Sequence, residues 1–234
     1  MIWAALAVLA PLVALGPLGC GKSTNSTAPP VDVPPAATSP AGAVQRFAWA
    51  VGHKDVDMVA GLLADDFEWI SASTDSAGNP ARDSTGGREW VLAALTSLLR
   101  GVPGQHAPSD VTLQIDQNLR TRDDSRPGKD PRFHQQVRTS IDVKVRDGDT
   151  MNTFEVTGNA LFFLTRGDSA AIPPDLVSRG VKPDSTAWWF DRFEDETLAG
   201  GLIAGRAPRP AATDPARTLT LTLLLQLYFT RLLP

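Results

Sequence analysis

The chain has 234 residues, a formal net charge of −4 and a single cysteine, Cys20. Acidic and basic residues are interspersed, so no basic face advertises nucleic acid, and a lone cysteine removes disulfides and thiolate metal clusters together. About 210 residues follow the first 22, enough for one sizeable domain that must hold by core packing alone.

Residues 1–19 carry no charged side chain and end in Leu18-Gly19-Cys20. An apolar run, small residues and then a cysteine resemble a bacterial lipoprotein signal, cut before Cys20, whose thiol takes a lipid. The resemblance implies a lipid-anchored, extracytoplasmic protein of the bacterial cell envelope, with the membrane as its first partner. A retained anchor is the alternative, near the lower length limit for a spanning helix and kinked by Pro11 and Pro17. The same stretch, Gly16 to Ser23, satisfies the phosphate-loop pattern G-x-x-x-x-G-K-[ST]. That loop must open a helix, and Pro29-Pro30 and Pro34-Pro35 deny it one. Asn25-Ser26-Thr27 matches a glycosylation sequon that a bacterial envelope protein leaves idle.

Residues 23–39, rich in Ser, Thr, Ala and Pro, read as a disordered tether. Ser39-Pro40 then starts a helix, and Val44, Phe47, Ala48 and Val51 give it one apolar face. Asp55 caps a second helix through Val56, Val59, Ala60 and Leu63. Asp65-Asp66 reads as a turn before a strand in which Phe67, Trp69 and Ser71 share one face. After a Gly-rich loop, Arg88 to Leu99 predicts a third helix stopped by Gly101.

Beyond Pro108 the period becomes two. Val111, Leu113 and Ile115 form one strand, and Gln117 to Arg132 reads as a solvated charged loop. Val137, Thr139, Ile141, Val143 and Val145 then alternate with polar residues, the pattern of a sheet with one wet face. Asp147-Gly148 signals a hairpin, whose return strand turns Phe154, Val156, Ala160, Phe162 and Leu164 inward, with Gly158 a bend or bulge. A further strand covers Ala187 to Asp195. Residues 206–234 form a Pro-rich connector and an apolar segment, in which Leu224, Tyr228 and Leu232 recur at helical spacing. That segment is expected to pack on the domain, cover an open sheet edge or contact a partner.

A helix pair running into Leu62-Leu63-Ala64-Asp65-Asp66-Phe67, a third helix and then long strands resembles the nuclear transport factor 2-like superfamily, including SnoaL-like cyclases and ketosteroid isomerases. The resemblance covers about residues 40–197, within a domain expected to span 40–205. Its carriers also include Ser39 to Phe47, Lys54 to Asp57 and Phe154 to Gly158. It implies an α+β fold, a curved antiparallel sheet wrapped on N-terminal helices as a cystatin-like cone, whose hollow serves unrelated chemistries or none. It argues against the isomerase activity. The position matching the family's proton-shuttling Asp is Ser71, and the one tyrosine, Tyr228, lies in the tail.

If the hollow takes a small apolar ligand, Trp49, Trp69 and Trp188 are its expected walls and Ser71 its polar contact. The competing expectation is core packing of the aromatics, and a cone filled by Trp49, Trp69 and Phe162 favours a scaffold. His134 has the parity of Arg138 and Lys144 and is expected at the surface. No pair of histidines has ligand spacing, and no metal or cofactor is expected. The function expected is a non-catalytic small-ligand or interaction module, with a cyclase, isomerase or dehydratase type of enzyme and a dimeric scaffold as alternatives.

Overall fold

The structure is a computed structural model that describes residues 32–74, 80–150, 152–167, 171–182, 186–197 and 217–232. Chain contacts group it into Met1–Val33 and Pro34–Pro234, and the fold is that of the second unit. Cys20, the phosphate-loop pattern and the sequon lie outside the described residues. Among the described residues no helix is long and apolar enough to cross a membrane.

Helix α1 (Pro40–Gly52) starts where its cap predicts, the Ser39 hydroxyl accepting from the Gly42 N–H at 3.0 Å. Its apolar stripe is buried, with Val44, Phe47 and Val51 facing the core. Asp55 caps α2 (Val56–Ala60) by accepting from the Met58 N–H. Helix α3 (Arg88–Arg100) buries Val91, Ala94, Leu95 and Leu98, and ends at Gly101, whose φ of 75° suits glycine.

The strands are β1 (Leu63–Thr74), β2 (Pro80–Gly87), β3 (Asp110–Ile115), β4 (Arg120–Asp123), β5 (His134–Arg146), β6 (Thr153–Arg166), β7 (Trp188–Thr197) and β8 (Arg217–Thr218). They form one sheet in the order β2-β1-β7-β6-β5-β3, with β4 beside β5 and β8 beside β6. Pairing is antiparallel except for β1 with β7 and β6 with β8. The architecture is α+β, a curved, unclosed sheet wrapped on helices. Two short helices complete it, α4 (Pro174–Ser178) and α5 (Leu221–Thr230).

Alternation along β5 and β6 holds as expected, with Val137, Ile141, Val143 and Val145 meeting Phe154, Val156, Ala160, Phe162 and Leu164 in the core. Gly158 is no bulge: the register runs through it and shifts between Phe163 and Leu164. It is required by close approach, because a Cβ there would lie 2.7 Å from the Thr197 Cα. Three local expectations are corrected. Asp65 and Asp66 lie within β1 rather than in a turn, part of the expected Gly-rich loop is β2, and the charged loop contains β4. For β2 and β4 the sheet supplies a partner strand that overrides local turn chemistry, whereas Asp65 and Asp66 lie where the register of β1 against β7 shifts between Leu63 and Glu68.

Candidate functional site

The side of the sheet facing the helices is packed with rings. Phe162 meets Phe47, Phe190 and Phe193 at centroid distances of 5.8, 5.2 and 4.9 Å, and Trp69 stacks on Phe193 at 4.1 Å. The hollow expected between sheet and helices is closed by α5. Leu224, Leu225 and Tyr228 of this helix are fully buried, and the space left beside Phe47, Trp69, Ile141, Phe162 and Leu225 is about 30 Å³. That is roughly the volume of one water molecule.

Each end of α5 is fixed by a buried carboxylate. At the N-terminus Asp195 Oδ2 accepts from the Thr222 N–H at 2.7 Å and the Thr222 hydroxyl at 2.6 Å. Its Oδ1 accepts from the Thr197 N–H at 3.0 Å and hydroxyl at 2.5 Å. Thr222 Oγ1 in turn accepts from the indole Nε1 of Trp69 at 3.0 Å, and Thr197 Oγ1 from the Leu221 N–H at 2.8 Å. A carboxylate offers about four lone-pair sites, and all are taken. The anion also lies where the helix dipole favours it.

At the other end Asp147 Oδ2 accepts from the Tyr228 hydroxyl at 3.0 Å and Arg231 at 2.7 Å, while Oδ1 accepts from Asp149 and Thr150. Burial alone would raise the Asp147 pKa, but hydrogen bonds from Thr150, Arg231 and Tyr228 hold it well below the carboxylate range. The Tyr228 phenol is pushed above its ordinary value by burial and by the hydrogen bond to Asp147. The hairpin signal Asp147-Gly148 is therefore also an anchor for the tail.

The four residues expected to line a ligand pocket do not converge. Trp69 borders the residual cavity. Trp49 is half-buried and stacked on His53, at 3.8 Å between ring centroids. Trp188 is buried under Arg166, whose guanidinium lies 5.0 Å from the ring centroid. Ser71 Oγ pairs with Thr85 at 3.0 Å at the β1–β2 edge. The bulge beside it is an extra residue of β2, Thr85, whereas β1 keeps an unbroken register against β7 from Glu68 to Ser71.

His134 also departs from expectation. It is half-buried, near the carboxylates of Asp124 and Asp191, the candidate ligand atoms of the three lying within 4.8 Å of one another. Its Nδ1 is buried without a hydrogen-bond partner, and desolvation, followed by the Lys129 charge, lowers its pKa. Such a trio has metal-ligand chemistry. Its two carboxylates, however, are already committed to cations. Arg126 spans Asp124, at 2.7 Å, and Asp191, and Lys129 reaches Asp191 at 3.1 Å. Arg126 also lies over the Phe163 ring at 4.3 Å. Two acids facing two cations form a neutral staple that holds the 124–133 loop on the sheet's outer face, with no surplus negative charge for a divalent ion.

That outer face carries an open groove of about 550 Å³, matched in size by one of about 540 Å³ beside Arg46, Asp55 and Trp189. The outer-face groove is lined by Asp116, Asn118, Arg120 and Arg122 from the 116–122 segment, Gln136, Arg138, Thr139 and Ser140 from β5, Asn159 and Leu161 from β6, and Glu196 from β7. Asp116 accepts from the Ser140 N–H at 2.8 Å, from the Ser140 hydroxyl and from Thr139, and the Ser140 bonds above all hold its pKa low. Arg138 pairs with Glu196 at 2.7 Å. Sequence reasoning missed this groove, although its signal was present in the outward parity of Gln136, Arg138 and Ser140.

No family model and no curated protein matches the chain. Among solved structures it is similar to a nuclear transport factor 2-like superfamily protein from Salmonella enterica serovar Typhimurium, with 12% identity and a TM-score of 0.42 over 70% of this chain and 92% of that one. A conserved protein from Planctomyces limnophilus shows 15% identity and a TM-score of 0.42 over 67% and 91%. A hexachlorocyclohexane dehydrochlorinase from Novosphingobium barchaimii shows 13% identity and a TM-score of 0.40 over 72% and 90%. These scores transfer neither residue roles nor activity to this chain.

Proposed function

We propose that the chain is a bacterial envelope lipoprotein, anchored through Cys20, whose nuclear transport factor 2-like domain is a non-catalytic binding and interaction module working from the outside of its sheet. The observation that supports this reading is the occupied interior. About 30 Å³ remains inside, against a groove of about 550 Å³ outside, and small-ligand sites run to roughly 300–1,000 Å³. An enzyme of the cyclase, isomerase or dehydratase kind needs a base facing its substrate. The buried Asp195 has no lone pair left to serve as one, and Ser71 offers only an unactivated hydroxyl. A homodimer through the same face is the second reading, because the groove carries both signs of charge in Arg138 and Glu196.

Native mass spectrometry of the detergent-extracted protein tests the internal and external readings together. The reading expects no apolar molecule retained in the folded unit. A stoichiometric apolar ligand that survives gentle desolvation, and is lost on substitution of Trp69, overturns it. For the anchor, the Cys20→Ser variant is expected to lose incorporation of labelled fatty acid and to leave the membrane fraction.

A further inference from the structure

Arg120 and Arg122 lie on one face of β4, opposite Arg138 and Gln136 of β5. Like charges directly across a strand pair repel, and such a pairing survives where something else neutralises it. Glu196 neutralises Arg138. Arg120 and Arg122 make no side-chain hydrogen bond or ion pair among the described residues. Of the nearby acids, Glu196 pairs with Arg138, and Asp116 is turned to Ser140 and Thr139 but keeps its charge, so the three arginines of the lining exceed its two acids by one. This end of the groove is left with two unmatched guanidiniums. Beyond them the lining offers the amides of Asn118, Gln136 and Asn159, each both donor and acceptor. No aromatic ring and a single apolar side chain, Leu161, are among the described lining residues.

We propose that this groove binds an anionic saccharide, its carboxylate or phosphate held by Arg120 and Arg122 and its hydroxyls by the three amides. Guanidinium forks match planar carboxylates and phosphates, and amides that both donate and accept suit hydroxyls. An acidic peptide fits less well, since the groove lacks apolar hollows for side chains. The assignment rests on the reading that recognition is external.

Isothermal titration of the full chain in non-ionic detergent tests it, with trigalacturonate, glucose 1-phosphate, uncharged maltotriose and triglutamate as probes. The expected result is binding of at least one charged sugar, weakened tenfold or more in Arg120→Gln/Arg122→Gln and by added salt, with maltotriose inert. Which charged sugar binds tells carboxylate from phosphate. No binding of either at millimolar concentration, or binding indifferent to the double variant, overturns the site. Tighter binding of triglutamate overturns the saccharide assignment. A dimer seen by light scattering that dissociates in the double variant overturns it in favour of a second copy. An apolar mass in the native spectrum would instead sink the external reading, so the two failures remain distinguishable.

Discussion

The two faces of the long strands β5, β6 and β7 solve opposite problems with alternating residues of the same segments. Inward, Val137, Ile141, Phe162 and Phe193 pack against helices, and the two carboxylates at that core, Asp147 and Asp195, have every oxygen matched to a donor. Outward, Gln136, Arg138 and Asn159 border an open groove in which two cations have no match. A low-dielectric interior makes any unpaired polar group costly, whereas water screens the outer charges and lets them wait for a partner. Saturation inside and vacancy outside therefore point to the same place for recognition.

The harshest way to break this contrast is truncation before Arg217. It would strip α5 from the core, expose the ring cluster and leave the Oδ2 of both carboxylates without its donors, and loss of the cooperative thermal transition is expected in circular dichroism. Next, Asp147→Asn removes the charge facing Arg231 and one of the two acceptor oxygens shared by Thr150, Tyr228 and Arg231, and should cost about 3 kcal/mol, read from the urea midpoint. Because the folded pKa of Asp147 is depressed, its contribution is complete above the ordinary carboxylate value of about 4 and is lost as pH falls below it toward the depressed value. Tm between pH 7 and pH 2 should thus fall less steeply in the variant than in the parent.

Thr222→Val tests the other lock, leaving Trp69 Nε1 without its acceptor and Asp195 short of a hydroxyl, with an expected cost of about 2 kcal/mol. At the small end, Arg120→Gln/Arg122→Gln should change stability by no more than about 0.5 kcal/mol, since both side chains are exposed and unpaired. A large loss of stability in that variant would mean that the outer face is structural after all.

Helix starts, helix stripes and the inward parity of β5 and β6 were legible because each depends on neighbours within a turn or a pleat. The outer ion staple was not. Arg126 meets Asp191 across 65 positions, and a run of mixed charges looks the same whether it is solvated or folded back on a sheet. His134 was placed on the correct face, but its shielding comes from that folded-back loop. For the pocket residues, burial of Trp69 was predictable from its strand, while its hydrogen-bond partner Thr222 lies 153 positions away.

By itself the sequence determined helices α1 to α3, the strands β1, β3, β5, β6 and β7, their apolar faces and the α+β class, though not β2 or β4, because periodicity and capping are local consequences of backbone geometry. It also supplied the helical period of the tail. Only the tertiary structure decided where that helix docks, since a short apolar stripe fits a sheet edge, a partner or a hollow equally well. The choice was made by two carboxylates far apart in sequence, Asp195 of β7 and Asp147 of the β5–β6 hairpin, which in the folded chain lie one at each end of α5. With the hollow filled from within, the unmatched arginines on the outer face became the candidate site.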